Sequence, residues 1–236
     1  MSNPYFQFKK FRVEQDQCAM KVTTDACIQG AWTSIPPGTN SVLDIGAGTG
    51  LLSLMLAQRD TEIRIVAIEI DENAAIQAKS NIQSSPWHNR INLIHGDAKK
   101  YTSAYQYDLI ICNPPFFINS LLGKNEHENH AKHNLVLTLE NLITILANLL
   151  TQNGCASVLL PFEENKQWLN LCKNSGFFEI KRLEIKHNKD QNAKRIISII
   201  SRICTEPIIE TLVITANHSG YTPEFIQLLK EFYLHL

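Results

Sequence analysis

The chain has 236 residues, of which 44% are hydrophobic and 19% charged, and its formal net charge is -1. That much apolar material builds one sizeable core and argues against wholesale disorder. A near-neutral balance excludes nucleic-acid binding through overall charge, so such a partner needs a local patch.

The N-terminus, Met1 to Lys10, lacks the apolar run of a signal peptide. No stretch approaches the ~18 apolar residues needed to cross a bilayer. The cysteines, Cys18, Cys27, Cys112, Cys155, Cys172 and Cys204, form no C-x-x-C pair and have no zinc-ligand spacing. These features predict a cytoplasmic protein with reduced thiols and no membrane partner.

Residues 1–35 read as an N-terminal segment in which Tyr5, Phe6, Phe8 and Phe11 sit among Lys9, Lys10 and Arg12. Such aromatics suit stacking on the bases of an RNA loop or packing over a core. Pro36-Pro37-Gly38 breaks the chain, and residues 36–236 read as one domain. Apolar runs of strand length follow at 42–45, 63–70, 91–94, 109–112 and 156–160. Helix-compatible stretches alternate with them at 51–59, 72–83, 135–150 and 163–174. The alternation predicts an α/β fold, a parallel sheet with helices on both faces. The nearly continuous apolar character of the strands agrees with burial on both sides.

Beyond Gly176, runs 177–185 and 195–203 flank the polar stretch 187–193. They predict a hairpin that ends the sheet with an antiparallel strand. A last β-rich run, 208–214, leads to a terminal helix near Thr222-Pro223-Glu224, with Thr222 as N-cap and Pro223 in the first turn.

Chemistry concentrates at strand ends. Asp44-Ile45-Gly46-Ala47-Gly48-Thr49-Gly50 closes the first core strand and opens a helix. Glycines there let the backbone turn tightly and approach a ligand. The pattern is G-x-G-x-G. The dinucleotide fingerprint would need glycine where Leu51 stands. That favours a ligand without pyrophosphate, and S-adenosylmethionine is the expected cofactor. Asp44 adds a carboxylate for its cationic end, and Gly46, Ala47 and Gly48 line it. Glu69, followed by Ile70, ends the second run about 20 residues beyond the loop, where an acid accepts from ribose hydroxyls. Asp97, followed by Ala98, ends the third run, and its carboxylate suits the adenine amino group of the cofactor.

The fourth strand run stops at Asn113-Pro114-Pro115-Phe116. Prolines donate no backbone hydrogen bond, so this corner presents acceptors: the Asn113 side-chain oxygen and the Pro114 carbonyl. Two acceptors grip both hydrogens of a planar amino group and aim its lone pair at an electrophile. That grip strengthens as charge builds on the nitrogen. Phe116 offers a face for base stacking. Direct in-line displacement then needs no metal and no covalent intermediate.

Two further groups have weaker claims. His127, His130 and His133 recur every third residue with no fourth ligand in sight, so no metal is expected. Lys181, Arg182, Lys186, Lys189, Lys194, Arg195 and Arg202 cluster around the predicted hairpin and, with Lys9, Lys10 and Arg12, suit either a phosphate-binding surface or a solvated face.

These stretches together resemble the class I S-adenosylmethionine-dependent methyltransferases with an Asn-Pro-Pro-aromatic motif. The resemblance implies a seven-stranded, mostly parallel sheet with one antiparallel strand. A closer likeness is carried by Phe6-Gln7-Phe8-Lys9-Lys10-Phe11, Gln15-Asp16, Cys18 through Asp25, Gly30-Ala31-Trp32, Gln83-Ser84-Ser85-Pro86-Trp87 and Phe232-Tyr233-Leu234. Nearly end to end, the chain is similar to the bacterial family that N6-methylates the adenine 3′ of the anticodon in a valine tRNA. The resemblance implies that the segment holding Lys21, Thr24 and Asp25 closes over the cofactor. It also implies the anticodon loop of a tRNA as partner, bound by a monomer or weak homodimer. The family usually carries tyrosine where this chain has Phe116, which leaves ribosomal-RNA guanine N2-methylation as an alternative. Glutamine N5-methylation of a protein and a cofactor-binding RNA chaperone are the others.

Overall fold

A computed structural model describes residues 3–114, 137–216 and 220–236. In chain order the elements are β1 (Tyr5–Gln7), β2 (Arg12–Glu14), α1 (Thr24–Trp32), β3 (Ser41–Ile45), α2 (Leu51–Arg59), β4 (Arg64–Glu69), α3 (Glu72–Gln83) and β5 (Ile91–His95). A 3-10 turn at Ala98–Lys100 precedes β6 (Tyr107–Cys112), α4 (Leu139–Leu149), β7 (Leu150–Pro161), α5 (Phe162–Asn174), β8 (Phe178–Lys186), β9 (Arg195–Ser201), β10 (Ile208–Val213) and α6 (Pro223–Leu229).

The main sheet runs β10-β8-β9-β7-β6-β3-β4-β5. Every pairing is parallel except those of β9, which runs against both β7 and β8. The predicted hairpin forms, but its second strand inserts between β7 and β8 and does not end the sheet. An eighth strand, β10, extends the expected seven by pairing parallel with β8.

Period-2 alternation sends successive strand residues to opposite faces. Val42, Leu109 and Ile111 feed a core shared with α1, α2 and α6. Leu43, Ile45, Ile110 and Cys112 feed a second core against α4 and α5, around the fully buried Trp168. Helix starts follow local capping chemistry. Thr23, Asp71, Thr138 and Thr222 each accept a backbone N–H from the first turn they open. Thr138 and Asn141 complete a reciprocal capping box.

The N-terminal segment joins the first core. Its β1–β2 hairpin buries Phe8 and Phe11 as a stacked pair with ring centroids 4.5 Å apart. Of the two uses open to these aromatics, packing is the one realised for Phe8 and Phe11. No helix among the described residues is long and apolar enough to cross a membrane.

Candidate active site

The C-terminal ends of β3, β4 and β5 are stitched into one surface. Gly46 and Gly48 take positive φ values of 71° and 55°, where a side chain is strained. A Cβ at either would meet nothing within 4 Å, so both backbones face open space. The N–H groups of Gly46 and Ala47 both donate to the Ile68 carbonyl, at 2.9 and 3.0 Å. Glu69 is 8% exposed, and its two carboxylate oxygens are shared out. One accepts from the Gly48 N–H at 2.7 Å and the other from the Asp71 N–H at 2.8 Å. Gly96 N–H donates to the Glu69 carbonyl at 2.8 Å, which brings the end of β5 alongside. There Asp97 accepts from the Lys99 N–H at 3.0 Å and opens the 3-10 turn.

These ends form one wall of a cavity enclosing about 890 Å³ of empty space, its open mouth included. Gly46, Gly48, Glu69, Ile70, Asp97, Ala98, Asn113 and Pro114 all line it. The Asn113 side-chain oxygen is buried and has no hydrogen-bond partner among the described residues. A buried acceptor that meets no donor is costly, of order 1–3 kcal/mol, and this one stands at the cavity wall. Pro115 and Phe116 lie outside the described residues, as do His127, His130 and His133.

Other candidates stand elsewhere. Asp44 is fully buried behind the loop, where one oxygen accepts both the Ser53 N–H (3.1 Å) and the Ser53 O–H (2.7 Å). Its other oxygen has no partner among the described residues, and burial pushes its carboxyl up to about 6. Lys21, Thr24, Asp25 and Ala47 are not among the cavity-lining residues. Asp25 pairs with Arg195 at 3.5 Å, and burial raises its carboxyl despite that cation.

The opposite wall is one that local sequence reasoning misses. Cys18, Ala19 and Met20 line the cavity as part of an N-terminal strap. α3 holds the strap with two nearly buried amides one turn apart, Gln77 and Asn81. Gln77 accepts from the Gln17 N–H at 3.1 Å and donates to the Asp16 carboxylate. Asn81 accepts from the Glu14 N–H and donates to the carbonyls of Glu14 and Thr49, each at 2.9 Å. It thereby ties the strap to the glycine loop. Gln15 closes the strap on itself by accepting from the Val22 N–H at 2.8 Å. The only sequence signal was chemical: amides four residues apart share a helix face.

Much of the basic cluster is spent internally. Lys181 pairs with Glu210 at 3.0 Å and lies 4.5 Å from the centroid of the Trp32 ring. Arg182 pairs with Glu179 at 2.6 Å, and Arg202 sits over Phe177. Burial pushes the Cys112 thiol far above its ordinary range, so it is no nucleophile. Among the described residues no group of three His, Cys, Asp or Glu is arranged to hold a metal ion.

Comparison with known proteins gives this site a context. The family described as "Methyltransferase small domain" matches residues 32–155, more than half of the chain. A protein from Dyadobacter fermentans named "tRNA1(Val) (adenine(37)-N6)-methyltransferase" is 42% identical over 236 residues, covering 98% of both chains. A protein of the same name from Flavobacterium psychrophilum is 39% identical, over 98% of this chain and 100% of its own. Among solved structures, "a predicted O-methyltransferase" from Agrobacterium tumefaciens superposes with a TM-score of 0.68 at 16% identity. It covers 88% of this chain and 96% of its own, a likeness of fold.

Proposed function

The chain belongs to the tRNA1(Val) (adenine(37)-N6)-methyltransferase family, and on that footing we propose that it methylates the exocyclic N6 amino group of adenine 37 in tRNA1(Val). S-adenosylmethionine is the methyl donor and, when bound, supplies a methyl group already activated on a sulfonium. The residues present fit it. The glycine loop leaves room for a ligand against its backbone. Glu69 offers a carboxylate to ribose hydroxyls, and Asp97, beside Ala98, offers one to an adenine amino group. Ile70 supplies apolar wall between them. In this reading Lys21, Thr24 and Asp25 close the strap side over the cofactor.

The observation that carries the reading is the buried Asn113 oxygen, without a partner among the described residues, at the cavity wall beside Pro114. An adenine amino group is a weak nucleophile because its lone pair is delocalised into the ring. Asn113 Oδ1 and the Pro114 carbonyl accept its two N–H bonds and hold the lone pair toward the methyl carbon. The next two residues of the motif would supply a position without a backbone donor, Pro115, and an aromatic face for base stacking, Phe116. The nitrogen becomes a better donor as it gains positive charge, so these acceptors stabilise the transition state more than the ground state. The apolar wall of Ile45, Ile68 and Leu137 excludes water. An anticodon loop suits this geometry, because its bases turn outward without melting a duplex.

The test is methylation of a tRNA1(Val) transcript with labelled cofactor, followed by nucleoside analysis. The expected product is N6-methyladenosine. Asn113→Ala should lower kcat about 10²–10³-fold, the loss typical of one transition-state hydrogen-bonding partner. Cofactor affinity should change much less. N2-methylguanosine as product, or full turnover by Asn113→Ala, overturns the reading.

A further inference from the structure

The Asn113 corner rests on a side chain that no motif points to. Gln29, in the middle of α1, is 0% exposed, as are its polar neighbours Thr33 and Ser157. Its Nε2 donates to the Cys112 carbonyl at 3.1 Å, the Ser157 carbonyl at 3.2 Å and the Ser157 hydroxyl at 3.3 Å. Three acceptors around one nitrogen fix which end of the amide is which. Its Oε1 has no partner among the described residues. Thr33, one turn on, shares a 2.7 Å hydrogen bond with the same Ser157 hydroxyl. A leucine or methionine would leave no amide oxygen unmet here, but it would strip a donor from the Cys112 and Ser157 carbonyls.

The place where it acts explains why it is there. The carbonyl of Cys112 and the nitrogen of Asn113 belong to one planar peptide unit. A donor fixed on that oxygen sets the tilt of the plane, and with it the direction in which Asn113 leaves the strand. β6 ends at Cys112, so no further ladder pairing steadies the next residue on its own strand. Gln29 also grips β7 through Ser157, one residue short of Val158, the partner of Cys112. It therefore references the corner to two strands and a helix at once.

We propose that Gln29 is a positioning residue for methyl transfer: by holding the Cys112 carbonyl it aims Asn113 Oδ1 and the Pro114 carbonyl at the amino group. This rests on the role given to Asn113 above. A misplacement of about 1 Å in a reacting group can cost 10²-fold in rate, whereas a merely structural Gln29 would affect folding and leave turnover per folded molecule intact.

The experiment uses the full chain with a tRNA1(Val) transcript and compares wild type with Gln29→Met, Thr33→Val and Asn113→Ala. Melting temperature, calorimetric Kd for S-adenosylmethionine, kcat and KM for tRNA are measured for each. Gln29→Met should lower kcat at least about 30-fold, while cofactor Kd and KM stay within about threefold. Thr33→Val removes a neighbouring polar contact without touching Cys112 and should keep kcat within about twofold. If Gln29→Met does not fold, Gln29→Asn keeps the amide but withdraws it by one methylene, and the same kcat loss is expected. A kcat within threefold of wild type for the folded Gln29 variant, with Asn113→Ala inactive, overturns this inference and leaves the role of Asn113 standing. An Asn113→Ala variant that turns over normally overturns that role instead.

Discussion

The two walls of the cavity are built by opposite means. The glycine-loop wall is local: its hydrogen bonds join residues 46 to 99, within three consecutive strand–loop units. The strap wall is distant: residues 14–17 are fixed by Gln77 and Asn81, sixty or more positions away in sequence. The first wall is made where β3, β4 and β5 lie side by side. The second needs the finished α3 docked beneath the N-terminal hairpin. A ligand should therefore depend on the first wall for its anchoring contacts and on the second for its enclosure.

The sharpest test removes the hinge of the local wall. Hydrogen bonds to a charged group contribute about 1.5–3 kcal/mol each, and Glu69 makes two to the backbone before any to a ligand. Glu69→Ala should therefore raise the Kd for S-adenosylmethionine about 300-fold. Isothermal titration calorimetry reads this directly. An increase below about tenfold would mean that the loop keeps its shape without the carboxylate.

The same contrast decides what was legible in the sequence. Helices at 51–59 and 72–83 are legible as helix-compatible stretches between strand runs, and the structure gives them those bounds. Glu69, Asp97 and Asn113 were readable because a strand end is a local event with a local signature. α1 was not read as a helix. Its nine residues include Gly30, whose backbone lies against Met55, and a Cβ there would come within 2.6 Å of the sulfur. That glycine reports helix–helix packing, a tertiary fact, and it weakens the helical pattern. Cys18, Ala19 and Met20 carry no cavity signal of their own, because their position is set by amides on another element. Asp44 is placed otherwise. Its place at the end of β3 suggested a ligand contact, yet its carboxylate turns inward to cap α2 through Ser53. Whether a strand-end acid faces in or out depends on which side of the pleat it occupies.

Asp44 supplies the second test, because it separates bracing from ligand contact. Burial holds its carboxyl at about 6, against 3.8 ordinarily, even though the Ser53 bonds favour the anion. The folded protein thus keeps a proton between about pH 4 and pH 6 that the unfolded chain has released. By linkage, this group's contribution to stability is full below pH 4, falls as pH rises through 6 and is flat above. The two-unit shift corresponds to up to about 3 kcal/mol at neutral pH. Asp44→Asn keeps an oxygen for Ser53 and removes the titration. Urea unfolding of variant and wild type should show the variant gaining relative stability from pH 4 to pH 6.5. A constant difference across that window would mean that Asp44 is not held near 6.

The smallest effect is expected at the strap, and it is the one that would break the comparison if it came out large. Gln77→Leu keeps the side chain's bulk on α3 while removing its bonds to Gln17 and Asp16. Asn81 still holds Glu14. One end of the strap loosens, and Met20, already 36% exposed, loses some of its hold on the cavity. An ordinary hydrogen bond contributes about 1 kcal/mol net, so the Kd for S-adenosylmethionine should rise about fivefold, mostly through a faster off-rate. Stopped-flow displacement of bound cofactor by S-adenosylhomocysteine measures that rate. The melting temperature should drop by no more than about 4 °C. A loss of affinity as large as that of Glu69→Ala would show that the strap anchors the ligand as well as enclosing it, and the division between the two walls would fail.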